Sequence, residues 1–139
     1  MGNERDLKKA EKSLPTCTAM LLCDSVVRDD VTHKTNITGI FDTFCLESLP
    51  GQTSPCTIFL RFADTVDGFP IAVEVHDPTH GMALFRSSES GNPIEKTSGE
   101  LGLPVAPLTF DQTGAYDMVV FAAGVEIGRI QFRITLRGS

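Results

Sequence analysis

The chemically able side chains of this chain are few and scattered. His76-Asp77-Pro78-Thr79-His80 sets two imidazoles and a carboxylate within one short stretch. Imidazole and carboxylate are ligands for zinc and other divalent metals, so His76, Asp77 and His80 are the candidate metal ligands. The spacing weakens that reading, because H-x-x-x-H has a defined ligand geometry on a helix and not across a β-turn. A solvated turn capped by Asp77 accounts for the same residues. Asp24 and Asp42 are the candidate functional carboxylates. Each shares strand parity with apolar residues, Leu22 and Val26 for the first and Ile40 and Phe44 for the second. A carboxylate on an apolar face needs hydrogen bonds or a cation, and two facing carboxylates can do acid–base work. The competing reading satisfies each on backbone N–H groups, Ser25 or an arginine, or turns it outward.

The four cysteines, Cys17, Cys23, Cys45 and Cys56, form no C-x-x-C pair, so neither a zinc ribbon nor a thioredoxin-type motif is present. They read as free thiols, mostly buried as small apolar residues. A zinc site assembled from all four is the remote alternative. There is no G-x-S-x-G elbow, P-loop or G-x-G-x-x-G. No catalytic residue is assigned and no cofactor is expected. Arg129, Arg133 and Arg137, with Arg61, could line one sheet face as a basic stripe.

Behind these residues lies a β pattern. A charged segment, residues 1–15, offers almost no apolar face and reads as a tail or short frayed helix. Residues 16–139 form the domain. Runs 16–28 and 35–46 flank a polar connector and read as a hairpin. In the second run Ile37 and Phe41 share one parity, Ile40, Phe44 and Leu46 the other. Gly39 between them predicts a bulge or twist. Cys56, Ile58, Leu60 and Phe62 alternate with Thr57, Phe59 and Arg61. Further strands are expected at 69–76, 82–88, weakly at 94–97, and at 101–105. Asp64–Gly68 reads as a turn. The clearest hairpin joins 116–122 to 125–136 through Ala123-Gly124, with Phe132 and Ile134 inward and Arg133 outward. About seven to nine strands joined by Gly, Pro and Asp turns predict an all-β, two-sheet antiparallel sandwich. Tyr116 after a glycine turn, like a tyrosine corner, tilts it toward an immunoglobulin-like form.

Of 139 residues, 41% are hydrophobic, and the formal net charge is −6. After residue 14 eight bases face fifteen acids. Such a surface repels phosphate backbones and anionic membranes, so neither nucleic acid nor membrane is an expected partner. No apolar run approaches the ~20 residues of a membrane helix, and the charged start lacks the apolar segment of a signal peptide. A cytoplasmic protein is expected.

Cys23-Asp24-Ser25-Val26, followed by Gly39-Ile40-Phe41-Asp42, resembles the opening of a group of short bacterial proteins classed as a domain of unknown function. Asp77-Pro78 matches its D-P turn, and Gly114, Tyr116 and Gly124 its closing G-x-Y strand and hairpin. The similarity spans about residues 17–136. It implies an all-β fold and bacterial origin and brings no catalytic residues. The function reading is therefore a non-enzymatic protein-binding or assembly module, with a protein partner or self-association. The alternatives are a small-molecule or metal-binding protein centred on His76–His80, and a homo-oligomeric structural protein. Apolar residues on both faces of 35–46 point to a symmetric dimer through that strand.

Overall fold

The computed structural model describes residues 15–63, 70–79, 81–86 and 99–138. The tail before Pro15, the expected turn at 64–68, His80 and the expected edge strand at 94–97 lie outside them. The described residues form twelve strands and no helix. In chain order these are β1 Thr16–Cys23, β2 Ser25–Arg28, β3 Thr35–Thr38, β4 Thr43–Leu46, β5 Gly51–Gln52, β6 Cys56–Ala63, β7 Ile71–Asp77, β8 Met82–Arg86, β9 Glu100–Val105, β10 Thr109–Phe110, β11 Gly114–Ala122 and β12 Val125–Leu136.

Two larger sheets carry the fold. One has the order β1-β6-β9, the other β4-β12-β11-β7-β8. Two small pairs, β2-β3 and β10-β5, complete it. All pairings are antiparallel except β4 with β12, which run parallel. The alternation seen in the sequence is the reason the sheets face each other. Successive strand side chains point to opposite faces, so every second residue of β6 (Cys56, Ile58, Leu60, Phe62), β7 (Ile71, Val73, Val75) and β11 (Tyr116, Met118, Val120, Ala122) enters one shared core. Phe132 and Ile134 of β12 join them, each 1% exposed. Burying one such side chain contributes about 1.5–3 kcal/mol. Tyr116 also donates its hydroxyl to the carbonyl of Gln112, four residues earlier, at 2.8 Å. The β11–β12 turn places Ala123 at φ 48° and Gly124 at φ 82°, the left-handed pair a two-residue hairpin requires.

The first two apolar runs are each cut in two, and this is the main departure from the sequence reading. Run 16–28 breaks at Asp24, whose N–H donates to the carbonyls of Thr38 (2.9 Å) and Gly39 (3.1 Å). Run 35–46 breaks at Gly39, at φ 68°, a conformation that costs L side chains about 1–2 kcal/mol. The hairpin survives as β2–β3, with Val26 opposite Ile37. It lies over the outer face of β9, where a Cβ added to Gly102 would sit 3.1 Å from Val26 Cβ. Thr35 ties it down by donating to Glu100 Oε1 at 3.0 Å. Phe59, opposite Gly102 in register, is consequently buried rather than solvent-facing. β4 leaves for the other sheet. The mixed parities of 35–46 thus belong to two strands, and the apolar outer face expected of a single strand does not form. Phe44 and Leu46 are core, Phe41 and Ile37 half-buried, and Ile40 lies exposed in the break.

Candidate functional site

β4 is the end strand of the five-stranded sheet, and its position fixes which backbone groups it offers. Arg133 N–H donates to the Asp42 carbonyl at 2.9 Å, and Arg137 N–H to the Leu46 carbonyl at 2.8 Å. In a parallel ladder, alternate residues turn both their N–H and C=O toward one neighbour. Asp42, Phe44 and Leu46 therefore face β12, and Thr43 and Cys45 direct theirs away from it. Among the described residues β4 pairs with β12 alone, so these outward groups form an open edge.

Side chains below the strand hold that edge in place. Phe44 packs edge-on to Phe41 at 4.9 Å and to Phe132 at 5.8 Å between ring centroids. Leu46 is 4% exposed. Alongside the edge runs a cleft of about 420 Å³, with Thr43 and Cys45 on one side and residues 52–55 on the other. The far wall is braced by Thr53, a buried polar residue. Its N–H donates to the Leu108 carbonyl at 2.9 Å, and its hydroxyl accepts from Leu108 N–H at 3.0 Å. The volume lies within the ~300–1,000 Å³ of ligand sites.

A sequence profile of one protein family matches residues 18–135. The chain belongs to DUF6941, a family of unknown function. This agrees with the resemblance drawn from the opening strands. No curated protein matches the chain significantly. Membership brings no activity, so the geometry must carry the functional argument.

The two candidate carboxylates do not line the same cleft. Both groups are exposed, the outward-turned alternative, because each falls at a strand break. Asp42 accepts from the Thr43 hydroxyl at 2.9 Å. Asp24 alone of the two lines the β4 cleft. Its Oδ2 folds over Gly39, where a Cβ would lie 2.1 Å away. Of the candidate metal residues, His76 and Asp77 are described. His76 Nε2 lies 2.7 Å from Glu74 Oε1, and Asp77 Oδ1 accepts from Thr79 N–H at 2.9 Å. His80 lies outside the described residues. Among the described residues, no three His, Cys, Asp or Glu side chains gather closely enough to hold a metal, and no helix is long and apolar enough to cross a membrane.

Three of the four arginines of the candidate basic stripe are paired or set apart, and Arg133 is exposed on β12. Arg129 bridges Asp117 and Glu126, both at 2.8 Å. Arg137 pairs with Glu47, and Arg61 belongs to the other sheet. All four cysteines are free. Burial pushes the Cys56 thiol up to about 11, helped by Cys23 and Asp24. Burial, then the Asp24 charge, raises Cys23 as well. Cys45 is exposed on the open edge, contrary to the general expectation of burial. The edge and its cleft were missed in the sequence. The available signal was a four-residue apolar strand, Thr43–Leu46, bounded by Asp42 and by the turn at 47–50.

Proposed function

We propose that this chain is a non-enzymatic protein-binding module that captures an extended segment of a partner protein as an added strand on β4. The carrying observation is that Thr43 and Cys45 present outward N–H and C=O groups along a cleft whose far wall is tied to Leu108 through Thr53. In antiparallel addition each such residue exchanges two hydrogen bonds with its opposite number, the usual basis of affinity in strand addition. Pairing with a second β4 is the weaker reading. Antiparallel self-pairing brings Asp42 and Glu47, at the two ends of the strand, toward each other across the copies, and facing like charges destabilise strand pairs. Four unpaired thiols support a reducing, cytoplasmic setting. The Tyr116 back-bond supports an immunoglobulin-like form of the sandwich.

A Thr43→Pro variant tests the reading. Proline is tolerated at an edge position whose N–H faces solvent, so the fold should survive by circular dichroism and thermal melting. Tagged wild type purified from its own host should retain a partner that protects the Thr43 and Cys45 amides from hydrogen exchange. The variant should lose it. A partner held equally by both, with those amides unprotected, would sink the proposal.

A further inference from the structure

Resting on that reading, we infer that the captured segment carries a lysine or arginine, and that the Asp24 carboxylate receives it. The cleft has two lining carboxylates, Asp24 and Glu47, and no lining lysine or arginine. They are not equivalent. Glu47 is already paired with Arg137. The acids on the neighbouring sheet surface are matched too, since Arg129 holds both Asp117 and Glu126. Among the described residues, the Asp24 side chain has neither a hydrogen bond nor an ion pair, and it lines the cleft with its Oδ2 beside Gly39, four residues before β4.

The fold holds this carboxylate rather than leaving it on a loose loop. Asp24 N–H donates to two carbonyls, those of Thr38 and Gly39. The Asp24 carbonyl accepts from the Thr57 hydroxyl at 3.4 Å. The absence of a Cβ at Gly39 makes the room in which Oδ2 rests. A single carboxylate so placed does not make a cation site, because calcium takes six to eight oxygen ligands. It does suit an ammonium or guanidinium group, which forms a charge-assisted bond with one carboxylate. The β4 backbone then fixes the register of the added strand, and Asp24 selects which side chain may stand at its end.

The test uses acetylated, amidated octapeptides of alternating threonine and valine with a fluorescent label. One position in turn is lysine, glutamine or glutamate, and each is titrated against the full chain by fluorescence anisotropy. Amide exchange at Thr43 and Cys45 is followed in parallel. Wild type should bind the best lysine peptide about two- to fivefold more tightly than its glutamine counterpart, the range of an exposed ion pair, with both amides protected. The preference should shrink with added salt. Asp24→Asn, checked by thermal melting to be folded, should bind lysine and glutamine peptides alike. Amide protection with no lysine preference, or a preference that persists in Asp24→Asn, overturns the role of Asp24 and leaves strand addition standing. If no peptide protects Thr43 and Cys45 at millimolar concentration, strand addition itself fails, and the inference with it.

Discussion

Phe132 ties the open edge to the core, and truncating it gives the most stringent test of the packing. Its ring is 1% exposed. It meets Phe44 at 5.8 Å, Phe110 at 6.0 Å and Tyr116 at 5.9 Å between centroids. Deleting a buried phenylalanine to alanine costs about 3–5 kcal/mol through lost transfer energy and the cavity left behind. Aromatic pairs add about 0.5–1.5 kcal/mol each beyond area, and here three vanish together. Phe132→Ala should therefore fall at the upper end, about 4–5 kcal/mol. That is a large share of the ~5–15 kcal/mol that holds an ordinary domain folded. Phe132→Leu keeps most of the volume and should cost about 1–2 kcal/mol. Arg133, one residue on, is exposed, and Arg133→Ala should cost about 0.5 kcal/mol or less. Urea denaturation at constant m-value reads all three. In Phe132→Leu the Phe44 and Leu46 amides should also exchange faster, because Phe44 leans on that ring. Equal costs for Phe132→Ala and Arg133→Ala, or Phe44 exchange unmoved in Phe132→Leu, would refute this account of how β4 is held.

Other outcomes follow from single contacts. Tyr116→Phe removes the bond to the Gln112 carbonyl and should cost about 1 kcal/mol by thermal or urea melting. Gly39→Ala should cost about 1–2 kcal/mol for the φ of 68°, and added Asp24→Ala should relieve only the steric part, leaving most of the loss. In thiol titration at pH 8, Cys45 should react at once and Cys56 and Cys23 slowly, with all four reacting after denaturation. The Cys56 thiol keeps its proton to about 11 when folded but releases it near 9 when unfolded. Stability should be full below pH 9 and fall by on the order of 2 kcal/mol as pH rises to about 11. Cys56→Val should flatten that loss in urea titrations, and an unchanged alkaline slope would remove Cys56 as its cause.

The sequence pattern speaks clearly where alternation is uninterrupted. β6, β7 and β12 show period-two apolar residues, and their inward sets are the core. Reading fails where one residue reroutes the backbone. Asp24 and Gly39 sit inside apolar runs, and alternation has no way to show that an N–H at one and a positive φ at the other will send β2–β3 and β4 to different sheets. β5 and β10 have two residues each, too few for a period to register. The partnership of β4 with β12 is fixed by packing of Phe44 on Phe132, far apart in the chain. For the site, Asp24 was legible as a carboxylate in unusual company, with its outward turn one of two orientations left open by parity alone. An open edge is a property of what does not pair with a strand, and no run of side chains encodes it locally.

The parallel seam between β4 and β12 also bears on how the molecule is made. The hydrogen bond from the Thr135 hydroxyl to the Phe44 carbonyl spans 91 residues. Closing a loop of that length costs about 4 kcal/mol in chain entropy. At the ~5–20 residues per second of ribosomal synthesis, β4 leaves the tunnel roughly 5–20 seconds before the strand that will cover its other side. During that interval it is bare along both edges, with Phe44 and Leu46 uncovered. Its length of four residues and the acidic residues at both ends are then what keep the nascent chain from pairing with its neighbours on the same message.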